Sequence, residues 1–231
     1  MNITYIAINI IMVIILIIHY ILNNKNTTNF TISILSKDPK IEYLHNFITI
    51  EEADYMIELC EKYKKESPVE LDNKTNTTIL VNKNIRTSST AFIKKGMSDK
   101  IVTIEKRVSD FLNVSYNQIE PLQMVVYKNE EYFKPHLDTF SSNSKYLMKG
   151  GNRIGTILVY LTTLDESEKG ATIFPKLNYK ITPKKCDAIY FETMKNGIVD
   201  DRLLHEGESL NSSKKKYAIN IWIREKEYLW N

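Results

Sequence analysis

A histidine and an aspartate two positions apart could bind a metal ion together. They are His136 and Asp138, in the aromatic-rich stretch YFKPHLDTF at residues 132–140. Such a stretch is typical of a β-strand, in which side chains i and i+2 project from the same face. An imidazole beside a carboxylate suits a first-row metal such as iron, and two histidines with one carboxylate leave positions open for substrate and oxygen. By itself the pair is more often two polar surface residues, so a metal site requires a third ligand.

The third ligand should come from a distant strand that converges on the pair. His205, in DDRLLHEGESL, is the only histidine after Asp138. His19 lies near the end of an apolar run and His45 lies just before a predicted helix, so we expect structural or solvent-facing roles for both. His205 is therefore the candidate third ligand.

Length and composition limit the class of protein. A chain of 231 residues is long enough for one good-sized domain with a single core. Its net charge is +3, with 31 Lys and Arg spread among 28 Asp and Glu, so it lacks the one-sided basic surface of a nucleic-acid-binding protein. Cys60 and Cys186 form neither a C-x-x-C unit nor a disulfide framework. We expect no nucleic-acid partner.

The N-terminal segment predicts membrane attachment. The run from Ile3 to Leu22, ITYIAINIIMVIILIIHYIL, is apolar nearly throughout, and about 20 apolar residues match the thickness of a bilayer. No small-residue cleavage site follows it, which favours a signal anchor over a cleaved signal peptide. We therefore expect a single transmembrane helix within residues 1–22, a polar linker over residues 23–40 that ends at Pro39, and a catalytic domain over residues 41–231.

The orientation of this anchor stays open on the residues alone. The first positive side chain after the run is Lys25, which favours a cytosolic domain by the positive-inside rule. N-x-S/T sequons would be used only in a lumen, and they occur at Asn26, Asn29, Asn73, Asn76, Asn113 and Asn211.

Two amphipathic helices are predicted at the start of the domain. In the stretch ITIEEADYMIELCEKYKKE, Thr49 and Glu52 form a capping box that marks the start of a helix. A second helix is expected from about Ser98 to Leu112. Between them, ELDNKTNTTILVNKN is polar and lacks a pattern, so we expect a mobile loop there, a lid over residues 67–85.

From Leu122 onward the hydrophobic period becomes that of strands. The short runs LQMVVY, RIGTILVYL, GATIFP, CDAIYFE and KYAINIWIR are rich in β-branched and aromatic residues and are separated by Gly, Pro and charged turns. Helices followed by at least five strands predict an α+β fold with an antiparallel sandwich or barrel.

A lysine in the run KKK, residues 214–216, could hold a carboxylate inside the barrel. By strand parity, Lys216, Ala218, Asn220 and Trp222 share one face, and Lys215 lies on the opposite side from Lys216. At least two of the three lysines are expected in a solvated turn.

Ordered blocks of sequence resemble the catalytic domain of the prolyl 4-hydroxylase family. The blocks are NIRTSSTAF, LQMVVYKNEEYFKPHLDTF, GGNRIGTILVYL, GATIFP, ITPKKCDAIYF and LLHEGESLNSSKKKYAINIWIRE. They extend over residues 85–225, with a looser match back to residue 41. The resemblance implies a double-stranded β-helix (jelly-roll) core with supporting N-terminal helices, and a dioxygenase of the procollagen-proline 4-dioxygenase type.

The resemblance also implies cofactors and site residues. Fe(II) would be held by His136, Asp138 and His205, and 2-oxoglutarate by Lys216. The family's usual spacing would select Lys215 instead, but KYAINIW aligns on Lys216. Tyr127, Thr156 and Tyr160 would line the co-substrate pocket, and Arg86 and Arg153 would contact the peptide. O2 is consumed, succinate is formed, and ascorbate is expected as a reductant.

Two departures from the family pattern fall in its motifs. Cys186 replaces a glycine in a P-K-K-G-D-A block, and residues 206–209 replace the small residues and Cys-Pro that often follow the distal histidine. We expect both changes to lie beside the metal and to affect substrate choice.

The sequence leaves several alternatives open for the substrate and for the class of protein. We expect a proline-containing peptide, and the membrane of the endoplasmic reticulum with a lumenal domain. The same chemistry on another peptide residue such as lysine, or on a small molecule, is the first alternative. A non-catalytic metal-binding barrel and a zinc-dependent hydrolase are the others, and oxygen dependence separates them.

Overall fold

The computed structural model describes residues 12–14, 29–73 and 76–229. The main elements of this part of the chain are two large antiparallel sheets, two separate two-stranded sheets and two long helices. The helices are α1 (Ile50–Tyr63) and α2 (Asp99–Leu112). The strands are β1 (Thr31–Lys37), β2 (Lys40–His45), β3 (Lys65–Glu66), β4 (Val69–Asn73), β5 (Asn76–Leu80), β6 (Ser89–Ile93), β7 (Leu122–Tyr127), β8 (Phe133–His136), β9 (Arg153–Tyr160), β10 (Thr172–Phe174), β11 (Tyr179–Ile181), β12 (Ala188–Glu192), β13 (Met194–Lys195), β14 (Ile198–Val199), β15 (His205–Gly207) and β16 (Lys216–Arg224).

The larger sheet has eight strands and the smaller has four. The strand orders are β1-β2-β12-β9-β16-β7-β6-β3 and β11-β10-β15-β8. Some neighbours, such as β1 and β2, are consecutive in sequence, but others are far apart; β16, for example, pairs with both β7 and β9. This arrangement confirms the predicted antiparallel β architecture with a jelly-roll-like core.

The helices cover the outer face of the larger sheet. Side chains from α1 and α2 pack with alternate residues of β16, including Ile219 and Ile221, in the largest hydrophobic cluster. The predicted capping box is present, because Thr49 Oγ1 accepts a hydrogen bond from the Glu52 amide and the Glu52 carboxylate accepts one from the Thr49 amide. Arg107 of α2 forms two hydrogen bonds of 2.9 Å to the same carboxylate, which ties the helices together.

The inner face of the larger sheet packs against the smaller sheet. Tyr160 and Phe191 of the larger sheet meet Phe174 of the smaller sheet in a buried cluster. Because strand residues alternate between faces, the same alternation that sends Ile219 to the helices sends Lys216 and Trp222 toward the space between the sheets. That space contains the candidate site.

The predicted linker over residues 23–40 is wrong from Thr31 onward. Residues 31–37 form the edge strand of the larger sheet and pair with β2. A bulge between Ile34 and Ser36 interrupts the alternation, and Ile32 and Ile34 are 47% and 60% exposed, so this strand is held by its pairing with β2 and does not bury these isoleucines in the core.

The predicted loop after α1 is also wrong in part. Residues 69–73 and 76–80 form a two-stranded hairpin with five paired positions, from Val69 with Leu80 to Asn73 with Asn76. Backbone pairing of this kind needs no apolar face, and the β-branched residues Thr77, Thr78 and Ile79 favour it. The segment is therefore a pair of antiparallel strands that lies between β3 and β6 in the sequence.

The predicted membrane anchor, residues 1–22, lies outside the described residues except for 12–14. Within residues 12–14, 29–73 and 76–229, no helix combines the length and apolar character that a membrane span requires.

Candidate active site

Three side chains that could hold a metal ion meet between the ends of two paired strands. His136 ends β8, Asp138 follows it, and His205 opens β15 directly opposite His136 in the strand register. One ligand atom from each lies within 4.8 Å of the others. The Nε2 atoms of His136 and His205 are each 3.8 Å from a different oxygen of Asp138.

Each of the two imidazoles is oriented by a hydrogen bond to the backbone carbonyl two residues earlier. His136 Nδ1 donates a hydrogen bond of 2.8 Å to the Lys134 carbonyl, and His205 Nδ1 donates one of 3.0 Å to the Leu203 carbonyl. Each ring therefore presents the Nε2 lone pair toward Asp138, as metal-binding histidines do. Burial, reinforced by His205, lowers the pKa of His136 to about 3, so this ring is neutral at physiological pH.

Asp138 is held as a carboxylate by its neighbours. It is buried, and Thr156 Oγ1 donates a hydrogen bond of 2.7 Å to its Oδ2. Burial alone would raise the pKa of Asp138, but the two histidines, Arg153 and Thr156 hold it below its usual range. Two imidazole nitrogens and one carboxylate oxygen form the donor set typical of mononuclear non-haem iron. The residues present therefore fit a divalent metal.

Lys216 is the lysine of the KKK run that points between the sheets. Its side chain is buried, at 3% exposure, and its Nζ lies 5.1 Å from the centre of the Tyr127 ring. Burial, opposed by Glu208, lowers the pKa of Lys216 to about 8. Lys215 points to the surface and pairs with Glu61 at 3.2 Å, as strand parity predicts.

The three predicted pocket residues lie at different points around the site. Tyr127 is the register partner of Lys216, and burial raises the pKa of its hydroxyl. Thr156 contacts Asp138, as described above. Tyr160 is fully buried, and its hydroxyl lies 3.0 Å from Thr172 Oγ1. The structure therefore brings Tyr127 to the lysine and Thr156 to the triad, whereas Tyr160 contacts Thr172 within the core.

A cavity of about 440 Å³ is lined by His136 and Asp138 of the triad, with both predicted arginines in its wall. Arg86 donates to Ser88 Oγ at 2.8 Å and lies over the Phe133 ring at 4.6 Å. Arg153 donates to the Asp138 carbonyl at 3.2 Å and lies 3.4 Å from the centre of the Trp222 ring. Aromatic side chains form much of the remaining wall: Phe92, Phe133, Phe140, Tyr146, Trp222 and Tyr228.

Sequence reasoning missed two charged residues in this wall, Glu120 and Arg224. Glu120 accepts hydrogen bonds of 2.8 and 3.0 Å from Arg153. Arg224 is fully buried at the end of β16. Extending the parity of Lys216 and Trp222 by two residues would have placed Arg224 on the inner face, whereas the pairing of Glu120 with Arg153 carries no local sequence signal.

One expected neighbour of the metal lies elsewhere. Cys186 packs with the helices in the cluster on the outer face of the larger sheet, so the expectation that it lies beside the metal is wrong. Residues 206–209 are the second departure from the family pattern. Within them, Glu208 accepts hydrogen bonds from the Ala171 amide and from Lys180. Glu206 lies next to His205 in β15.

Known proteins are similar to this chain in sequence and in fold. Residues 122–224, which contain the triad and Lys216, match the 2OG-Fe(II) oxygenase superfamily. The chain is 33% identical over 217 residues to probable prolyl 4-hydroxylase 10 of Arabidopsis thaliana, covering 85% of this chain and 73% of that protein. It is 32% identical to prolyl 4-hydroxylase 1 of the same plant, covering 84% and 71%.

A solved structure extends the comparison to three dimensions. The viral collagen prolyl hydroxylase of Paramecium Bursaria Chlorella virus-1, in its 2OG complex, superposes with a TM-score of 0.61 at 26% identity, covering 80% of this chain and 94% of that one. The sequence blocks, the triad geometry and these likenesses agree. The chain belongs to the prolyl 4-hydroxylase family of 2OG-Fe(II) oxygenases.

Proposed function

We propose that this chain is an Fe(II)- and 2-oxoglutarate-dependent dioxygenase that hydroxylates proline within a peptide. The observation that carries the proposal is the triad of His136, Asp138 and His205, with both Nε2 atoms aimed at one carboxylate. Two of the three residues, His136 and Asp138, line a cavity large enough for part of a peptide. Its relatives bear the names of prolyl 4-hydroxylases.

The triad residues would hold the iron, and Lys216 would hold the co-substrate. Ferrous iron and 2-oxoglutarate, when bound, supply the oxidising chemistry: one oxygen atom of O2 enters the C–H bond, and the other leaves in succinate with release of CO2. The buried Lys216 ammonium would neutralise the carboxylate of 2-oxoglutarate that is remote from the metal. Tyr127, beside Lys216, would line the same pocket, and Thr156 orients Asp138.

The cavity wall suits a proline-containing chain. Proline-rich segments form preorganised extended helices that dock into aromatic-lined grooves, and Phe140, Tyr146 and Trp222 supply such a surface. Arg86 and Arg153 lie in the same wall and are proposed to contact the peptide. Closing of the wall around the peptide would exclude water from the reacting carbon.

The test is anaerobic loading of the protein with Fe(II), followed by 2-oxoglutarate, a proline-rich peptide and then oxygen. We expect succinate, and a mass gain of about 16 Da on proline, corresponding to one oxygen atom. His136→Ala should abolish both products, because the triad loses a ligand. Succinate without peptide oxidation would contradict proline as the target, and product formation with zinc in the absence of oxygen would contradict the dioxygenase. Addition of ascorbate should prolong turnover, as proposed for a reductant that restores ferrous iron.

We also propose that the domain faces the lumen of the endoplasmic reticulum on a membrane anchor within residues 1–22. Asn29, Asn113 and Asn211 lie in sequons and are exposed, so their side chains are accessible for glycosylation. Expression in a eukaryotic cell should then give a protein whose mass falls on glycosidase treatment and which stays with membranes at high salt. An unglycosylated, salt-extractable protein would contradict the proposal.

A further inference from the structure

Arg224 is a fully buried cation in the wall of the active-site cavity. It is the last residue of β16 and has 0% exposure. Trp222, two residues earlier on the strand, and Arg153, its register partner on β9, line the same cavity. Burying a charge is costly unless the charge is paired and hydrogen-bonded.

The described partners of Arg224 are one carboxylate shared with Arg153, one backbone carbonyl, and the rings of Phe140 and Tyr228, which lie 4.8 and 5.6 Å from its guanidinium, so its charge is offset only in part. Glu120 accepts two hydrogen bonds from Arg153 and so forms a neutral bidentate pair with it. Arg224 Nη1 lies 3.3 Å from the same carboxylate without forming a hydrogen bond, and Arg224 Nη2 donates to the Tyr146 carbonyl. The Nε and Nη1 atoms of Arg224 have no acceptor among residues 29–73 and 76–229.

The wall of the cavity therefore contains buried N–H groups that have no hydrogen-bond acceptor among the described residues. The indole Nε1 of Trp222 is likewise buried and has no hydrogen-bond partner in the described part of the chain. A neutral indole N–H suits a backbone carbonyl, whereas an unneutralised guanidinium favours a carboxylate, which it binds with two parallel hydrogen bonds. The occupant of the cavity should supply both.

We propose that Arg224 selects peptides that have a carboxylate close to the target proline, an inference that rests on the proposed proline hydroxylation. Trp222 is the register partner of Thr156, which holds Asp138, so this level of β16 lies beside the triad. Arg224 is two residues further along, about 7 Å at strand spacing. A peptide in the extended proline helix advances about 3.1 Å per residue, which places the carboxylate about two residues from the hydroxylated proline.

The test compares peptides that differ only in charge. Fluorescent proline-rich peptides with Glu or Gln at each of the two positions before and after the central proline are titrated into the full chain, and anisotropy gives the affinity. A further pair ends in a free or an amidated carboxyl two residues after the proline, which separates a side-chain carboxylate from a terminal one. We expect one position at which the carboxylate peptide binds roughly 10- to 100-fold more tightly than its neutral partner.

Variants locate the origin of this preference. Arg224→Gln should abolish the difference between the Glu and Gln peptides, whereas Arg202→Gln should retain it, because Arg202 is exposed and pairs with Asp38 and Asp200. Equal binding of all matched pairs to the unsubstituted protein overturns the inference, whether or not the variant folds.

Turnover separates this inference from the proposed function. Hydroxylation with equal kcat/KM on matched Glu and Gln peptides would keep the proposed function and overturn the role of Arg224. A retained carboxylate preference in binding, with no proline oxidised in any peptide, would support the role of Arg224 in recognition and contradict proline hydroxylation.

Discussion

Thr156 Oγ1 donates a hydrogen bond of 2.7 Å to Asp138 Oδ2 within a buried site. The bond joins the centre of β9 to the loop after β8, and so joins the larger sheet to the smaller one at the triad. The hydroxyl fixes the orientation of the carboxylate and favours its charged form. Both effects matter for metal binding, because this carboxylate is a candidate metal ligand.

Thr156→Val removes this hydrogen bond while keeping the side-chain shape. We expect metal affinity to fall by roughly 10- to 100-fold, as is typical when a hydrogen-bond partner of a metal ligand is lost. Anaerobic titration with Co(II) or Fe(II) measures the change. Thr156→Ser should bind nearly as the unsubstituted chain does. Thr103→Val, on the exposed surface of α2, controls for loss of a hydroxyl, and unchanged affinity in Thr156→Val would contradict the proposed ligand role.

Lys216→Ala should weaken 2-oxoglutarate binding and Lys215→Ala should not. Removal of a charged hydrogen-bond partner from a buried site corresponds to roughly a 10- to 100-fold rise in the dissociation constant. Lys215 pairs with Glu61 at the surface, away from the pocket. Calorimetric titration of the metal-loaded protein without oxygen gives both constants. The reverse order of effects would assign the co-substrate to Lys215.

The affinity for 2-oxoglutarate should also depend on pH through Lys216. Burial lowers the pKa of this ammonium group to about 8 in the free protein. Below that pH the lysine is already charged and the affinity should be flat. Above it, binding must take up a proton, so the dissociation constant should rise about tenfold per pH unit.

Lys216→Arg is the matched control for this pH dependence, because a guanidinium stays charged throughout the range. Its dissociation constant should be flat between pH 6.5 and 9.5, whatever its absolute value. A rise of equal slope in Lys216→Arg would attribute the pH dependence to another group.

Short-range periodicity predicted the parts of this molecule that depend on strand geometry. The period of two correctly predicted that Lys216 faces inward and Lys215 outward, and the H-x-D spacing correctly paired His136 with Asp138, although Asp138 lies in the loop just after β8. The capping box similarly located the start of α1. These features depend on residues close in sequence, so the sequence displays them directly.

Features that depend on distant pairing were not predictable in the same way. The edge strand β1 is defined by its partner β2 and by a bulge, since its own isoleucines are exposed. The Glu120–Arg153 ion pair joins residues 33 positions apart. Nothing local marks either residue as a partner of the other, so only the sheet register brings them together.

Cys186 shows how a position can be recognised while its location is misjudged. The family pattern has glycine here, and Cys186 has a φ of 74°, in the left-handed region that glycine adopts without strain. Its amide donates to the Tyr160 carbonyl and its carbonyl accepts from the Ile48 amide, so the backbone conformation is fixed by neighbours on both sides. The constraint that the glycine pattern reflects is therefore backbone geometry under the helices.

Cys186→Gly should be more stable than Cys186→Ala, the reverse of the order expected at an ordinary position. Both variants lose the buried sulfur, but alanine retains the left-handed strain of about 1–2 kcal/mol that glycine relieves. Glycine in turn loses roughly 0.5–1 kcal/mol through the entropy of the unfolded chain. The net advantage of glycine should be up to about 1.5 kcal/mol in the free energy of unfolding, measured by urea denaturation. Cys60→Gly and Cys60→Ala provide the comparison, because Cys60 lies inside α1, where glycine should be the less stable of the two by about 1 kcal/mol. The same order at both cysteines would show that the positive φ at Cys186 costs the fold nothing.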